Sequence, residues 1–149
     1  MTISEIIRAG IEQARLGYFR DAADQFSRAI QRDKTCTKAF YNRGCAYRDL
    51  AKHQQALDDF STAIRLDPLF VNAYINRGNI HRTLGDLTAA LDDFDQALSI
   101  QPTSAKALSN RGRVKLDMEA YEGAITDFSA VLRQQPKFYK VLLWRGLAY

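Results

Sequence analysis

Cysteine occurs twice, proline three times and tryptophan once in a chain of 149 residues. Two thiols make no disulfide framework, and the spacing of Cys36 and Cys45 fits neither a zinc-ligand pair nor a CxxC redox motif. Packing filler is the expected role for both, and a reducing, cytoplasmic setting the expected environment. Apolar runs are only a few residues long, too short to span a bilayer. The opening "TISEIIRAG" has no basic start, apolar core or small-residue cleavage site, so no secretory signal is read there. There is no Ser/His/Asp set, no metal-ligand cluster and no phosphate-cradling glycine loop. The two histidines, His53 and His81, fall at positions expected to pack. These absences point away from an enzyme and imply neither a cofactor nor a metal.

What is present is a register. "YNRG" at 41–44 returns as "INRG" at 75–78 and "SNRG" at 109–112, with a degraded "LWRG" at 143–146, each 34 residues after the last. With the glycine placed at position 8, the chain divides into 3–36, 37–70, 71–104, 105–138 and an incomplete 139–149. Position 8 holds Gly10, Gly44, Gly78, Gly112 and Gly146, five of the eight glycines. Position 20 holds Ala22, Ala56, Ala90 and Ala124, and position 24 holds Phe26, Phe60, Phe94 and Phe128. Position 27 reads Ala29, Ala63, Ala97 and Val131, and position 32 reads Lys34, Pro68, Pro102 and Pro136.

Each repeat predicts two helices. In the first, positions 4, 8 and 11 share a face; in the second, positions 20, 21, 24, 27 and 28 form one apolar stripe, as in Ala56, Leu57, Phe60, Ala63 and Ile64. Glycine inside a helix costs about 1 kcal/mol relative to alanine, so its regular use needs a compensating contact. The expected one is a close helix approach, Gly44 against Ala56 and Gly78 against Ala90. Proline at position 32 stops the second helix.

This pattern resembles the tetratricopeptide repeat over residues 3–149, nearly the whole chain, carried by the small residues at positions 8, 20 and 27 and the proline at position 32. The tryptophan often seen at position 4 is replaced by Ile6, Phe40, Tyr74, Leu108 and Leu142. The resemblance implies an all-α fold: one domain in which antiparallel helix pairs stack into a right-handed α-solenoid, its concave face lined by the first helices. Position 7, usually leucine in such repeats, is Arg43, Arg77 and Arg111, and the same repeats carry Asp59, Asp93 and Asp127 at position 23. The first repeat has Ala9 and Gln25 instead, so both partners are missing together. That pairing predicts a salt bridge between the two helices of each repeat.

Positions 2, 5, 6, 9, 12 and 13 are expected to line the concave groove. Asn42, Asn76 and Asn110 share position 6, where asparagine has no merit as a helix former. Tetratricopeptide proteins that grip peptides along their inner face use asparagines there, so the resemblance implies a ladder of amides facing a peptide backbone. The stripe also carries Arg8, Arg15, Lys38, Arg48, Arg82, Lys106, Arg113 and Lys140 against Asp49 and Asp117, a balance of +6 in a chain of formal charge +4. An acidic partner follows. The two-carboxylate clamp known in this family would use Asn79, Asn110 and Lys140, but Ile75 and Trp144 stand where it needs a lysine and an arginine. Tyr41, Ile75, Leu143 and Trp144 are expected to add apolar pockets for peptide side chains.

The expected function is a non-enzymatic adaptor binding an extended, acidic peptide. The alternatives are a self-associating scaffold and a single-stranded nucleic-acid binder; the second has few groove aromatics to stack bases. No membrane partner is expected. The last repeat stops at its position 11, with Leu142, Gly146 and Tyr149 on the face a second helix would cover. A fragment of a longer protein, or weak association through the last helix, is therefore expected.

Overall fold

The computed structural model describes residues 1–149 and contains nine helices and no strand. The first helix of each repeat is α1 (Ile3–Arg15), α3 (Thr37–Asp49), α5 (Val71–Thr83) or α7 (Ala105–Asp117). The second is α2 (Phe19–Arg32), α4 (His53–Leu66), α6 (Leu87–Ile100) or α8 (Tyr121–Gln134), and α9 spans Tyr139–Leu147. Two compact units, Met1–Asn76 and Arg77–Tyr149, divide the chain within α5.

The connections inside a repeat follow one rule. The residue at position 15 is left-handed in all four: Gly17 and Gly85 at φ 86° and 82°, Ala51 and Glu119 at 56° and 60°. The flanking amides close a Schellman motif, with Gly17 N–H donating to the Ala14 carbonyl and Tyr18 N–H to that of Gln13. Between repeats the chain makes a β-turn. Phe70 N–H returns to the Asp67 carbonyl at 3.1 Å, with Pro68 at the second turn position, where its fixed φ is an advantage. Asp33 and Asp67 brace their turns by accepting from the amides of Thr35 and Leu69.

The core is the predicted stripe. Ala22, Ala56, Ala90 and Ala124 are fully buried, and Phe26, Phe60, Phe94 and Phe128 are at most 1% exposed. The glycines do not work as the sequence suggested. The nearest neighbours of a Cβ built at position 8 belong mainly to the phenylalanine ring at position 24: 2.7 Å at Gly10, 2.9 Å at Gly44, 3.0 Å at Gly78 and 2.5 Å at Gly112. Each bare Cα is thus a seat for a ring, and the alanine at position 20 is not its nearest neighbour. Gly146 is exposed and has nothing within 4 Å.

The ion pairs fall within repeats, as the joint loss at Ala9 and Gln25 indicated. Arg43 donates through Nε and Nη2 to both oxygens of Asp59 at 2.8 Å. Arg77 reaches Asp93 at 2.9 and 2.6 Å, and Arg111 reaches Asp127 at 2.9 and 2.6 Å. The "DD" pairs split accordingly: Asp58 and Asp92 are exposed, Asp59 and Asp93 buried. A further contact escaped the sequence reading. The remaining nitrogen, Nη1, reaches back one repeat, to Ser27 Oγ at 3.0 Å from Arg43 and to Asp95 Oδ1 at 2.7 Å from Arg111. Side-chain exposure is 6% for Asp59 and 20% for Arg43, so the carboxylate bears most of the desolvation. Burial is the largest influence on its pKa and, with the nearby Asp58 charge, raises it against the pull of Arg43, while the hydrogen bonds that Asp59 accepts raise that of the guanidinium.

Two stability predictions follow by denaturant unfolding. Gly112→Ala should destabilise by about 1–3 kcal/mol through overpacking against Phe128, whereas Gly146→Ala should gain up to about 1 kcal/mol of helix propensity; equal effects would show that the ring seat is immaterial. Arg43→Leu strands a buried carboxylate and should cost about 3–5 kcal/mol at neutral pH. With its pKa raised further above the unfolded value, Asp59 takes up a proton as pH falls, so part of that loss should return under acid conditions. Adding Asp59→Leu should restore stability and remove the pH dependence. Additive losses would mean that the two side chains are uncoupled.

Candidate functional site

The position-6 asparagines are the same residue in three different surroundings. Asn76 is buried at 3% exposure. Its Nδ2 donates to Tyr41 Oη at 3.0 Å and lies 3.9 Å from Cys45 Sγ, while its Oδ1 accepts from Arg48 Nη1 at 3.0 Å. Arg48 is held in turn by Asp49, Nε to Oδ1 at 2.8 Å. The amide of Asn76 therefore ties α5 to α3 within the first unit and is not turned outward. Tyr41 is fixed by the same bond, and burial pushes its phenol pKa up to about 12. In the repeat before that of Asn42, positions 5, 9 and 12 are Ile7, Ile11 and Ala14, side chains unable to hydrogen-bond. The Asn42 amide is half-buried and has no intramolecular partner. Asn110 in the second unit is likewise half-buried and unpartnered.

The charges of the stripe divide evenly, four cations and one carboxylate in each unit. In the first, Asp49 is taken by Arg48, and Arg15 pairs with Glu12 at 2.6 Å. Arg8 and Lys38 are exposed and have no carboxylate within ion-pair distance. In the second, Asp117 is taken by Arg82 at 2.6 Å. Lys106 and Lys140 are exposed without an acidic partner. Arg113 lies over the Trp144 ring, 4.9 Å from its centroid, and Trp144 packs on Phe128 at 6.0 Å. Burial, then the neighbouring Arg82 charge, lower the pKa of Arg113 against the opposing pull of Asp117.

Of the expected apolar pocket residues, Tyr41 and Trp144 are partly exposed, and Leu143 is 65% exposed. Ile75 is 1% exposed and belongs to the core, because its stripe position is covered by packing. Within the second unit, the three clamp-like residues are half-buried Asn79 and Asn110 and exposed Lys140, with no hydrogen bonds among them. His81 Nε2 lies 3.9 Å from Asp93 Oδ2, beside the buried ion pair. No helix is long and apolar enough to cross a membrane.

The tetratricopeptide repeat family profile matches residues 41–105 and 109–149, more than half of the chain. Among curated proteins no sequence matches. Several solved structures are similar in fold. MamA from Desulfovibrio magneticus RS-1, from its residue 41 to the end, superposes with a TM-score of 0.90 at 18% identity, covering 98% of this chain and 82% of that one. YrrB, described as a TPR protein with an unusual peptide-binding site, gives a TM-score of 0.83 at 19% identity over 97% of this chain and 74% of its own. The first TPR of Spaghetti (RPAP3), bound to the HSP90 peptide SRMEEVD, gives 0.76 at 22% identity over 78% and 92%. These likenesses establish the fold as an all-α solenoid of helix pairs.

Asn76→Ala should destabilise the chain by about 1–3 kcal/mol, since it strips partners from Tyr41 and Arg48. Asn42→Ala should be close to neutral. Thermal or urea unfolding of the two variants decides it, and equal stability would show that the buried amide bonds contribute nothing. The raised Tyr41 pKa implies stability that is present below pH 10 and lost as pH rises towards about 12. Tyr41→Phe should flatten that alkaline limb.

Proposed function

Because the chain belongs to the tetratricopeptide repeat family, whose members are generally interaction modules and not enzymes, we propose that its first helices bind an extended, acidic peptide. One observation carries the reading. The stripe's own carboxylates, Asp49 and Asp117, are consumed by Arg48 and Arg82, while Lys38, Lys106, Arg113 and Lys140 and the amides of Asn42 and Asn110 have no carboxylate or hydrogen-bond partner. An extended peptide supplies what these groups lack. Its side-chain carboxylates answer the cations, and its backbone can both donate to and accept from each amide. Asn76 acts from behind, holding Tyr41 and Arg48 in place. The peptide bound to the RPAP3 repeat, SRMEEVD, contains three acidic residues, which is consistent with an anionic ligand on this fold.

A second reading has its own observation. Leu143 and Leu147 of α9, at 65% and 66% exposure, and Tyr149 beyond it at 86% form an apolar surface suited to weak self-association. A rise in sedimentation coefficient with concentration, abolished by Leu143→Ser with Leu147→Ser, supports it; a concentration-independent monomer excludes it.

Peptide binding is tested through Trp144, the only tryptophan, which lies on Arg113. An Asp/Glu-rich peptide should change its emission, and affinity should fall steeply as ionic strength rises. Asn42→Ala with Asn110→Ala should weaken binding by about 1–3 kcal/mol without loss of stability. Salt-independent binding, a preference for basic peptides, or tighter binding of single-stranded RNA at equal salt would refute the proposal.

A further inference from the structure

The first unit contains a built feature that charge alone does not explain. The β-turn through Pro68 lifts Phe70 onto Tyr41, with ring centroids 4.6 Å apart and planes inclined at 41°. Tyr41 also packs against Phe60 at 5.9 Å and is pinned at its hydroxyl by Asn76, so the ring is held by two aromatic neighbours and one hydrogen bond. Beside the pair opens a hollow of about 400 Å³, bordered by Lys38, Tyr41, Asn42, Asp67, Phe70 and Asn72. That volume lies within the range of about 300–1,000 Å³ typical of ligand clefts. Asp67 is the one carboxylate on the rim, and its Oδ1 accepts from the Leu69 amide at 3.1 Å. Neither Asn42 nor Asn72 spends its side-chain amide on the protein.

Lys38 borders a second hollow of about 240 Å³, lined by Ser4, Ile7, Arg8 and Ile11. An aromatic recess and a cationic recess therefore adjoin across one lysine. Neither Lys38 nor Arg8 has a carboxylate within ion-pair distance. An occupant suited to both recesses carries a large apolar side chain next to an anionic one.

We propose that the Tyr41/Phe70 hollow is an anchor subsite for an aromatic side chain of the bound peptide, and that Lys38 and Arg8 hold a carboxylate on the adjoining residue. This rests on the acidic-peptide reading and adds a sequence preference to it. The rigid aromatic wall supplies burial for the anchor. Asn42 and Asn72 meet the backbone of the anchor residue, and the charge pair fixes the direction in which the peptide runs.

The test uses the full chain and fluorescein-labelled peptides followed by anisotropy. Three peptides of equal length are compared: Asp/Gly with a central Phe, the same with a central Ala, and Ser/Gly with a central Phe. The first should bind about tenfold or more tightly than the second, as expected for an anchor residue. Phe70→Ala should bring the Phe and Ala peptides to equal affinity. Lys38→Glu, at an exposed position with no packing role, should weaken the Asp/Gly peptides and spare the Ser/Gly one. Should Phe70→Ala fail to fold, the wild-type comparison and Lys38→Glu still decide. Equal wild-type binding of the Phe and Ala peptides overturns the anchor and leaves the acidic-peptide reading standing. Wild-type binding of the Asp/Gly peptides no tighter than Ser/Gly overturns that reading, and an unchanged affinity in Lys38→Glu overturns the carboxylate contact.

Discussion

A phenylalanine ring can enter the space between two helices only where the facing helix offers no side chain. Each complete repeat meets that constraint at its position 8, where a hypothetical Cβ would lie 2.5–3.0 Å from the ring, so that a methyl group there would force the ring to move. The helix pair is therefore locked in rotation and in spacing by one residue on each side. Everything else in the repeat follows from that lock. It sets which residues of the second helix are core, and it brings position 7 over position 23, so that an arginine can meet an aspartate.

The ion pairs act as orientation devices more than as a source of net stability. Desolvation is the largest influence on Asp59 and raises its pKa against the pull of Arg43, and a buried ion pair returns little net stability once that cost is counted. What the pair supplies is direction: a bidentate fork accepts one relative setting of two helices, and the spare Nη1 adds a contact to the preceding repeat. Each arginine so described touches both its own second helix and its predecessor's. Contacts of this kind pass order from one repeat to the next by nearest neighbours alone.

The helix pairs were legible because small residues recur at fixed intervals and little else explains them. The ion pairs were legible because Ala9 and Gln25 lose both partners together. The spare arginine contact was not, since position 25 supplies Ser27 in one repeat and Asp95 in another, and the pattern shows no common chemistry. The glycine's partner was misread for a geometric reason: a long ring reaches across the seam further than an alanine does. The asparagines show the limit most plainly. The sequence treats Asn42 and Asn76 alike, yet the side chains one repeat earlier are Ile7, Ile11 and Ala14 in one case and Tyr41, Cys45 and Arg48 in the other. A repeat register says which residues are equivalent within a unit, and the preceding repeat decides what each amide has left to offer. Ile75 illustrates the same rule, a stripe position turned into core by what lies against it.

The left-handed residue that reverses the chain inside each repeat has a kinetic consequence. Two of the four reversals use glycine, at Gly17 and Gly85, where positive φ carries no steric cost. The other two force it on Ala51 and Glu119, at about 1–2 kcal/mol each. The four hairpins are consequently unequal as starting points for folding. Those closed by glycine have the cheaper local loop to close, and those closed by Ala51 and Glu119 gain more from a neighbour already formed. A molecule whose repeats look interchangeable on paper thus carries an alternation of easy and reluctant corners along its length.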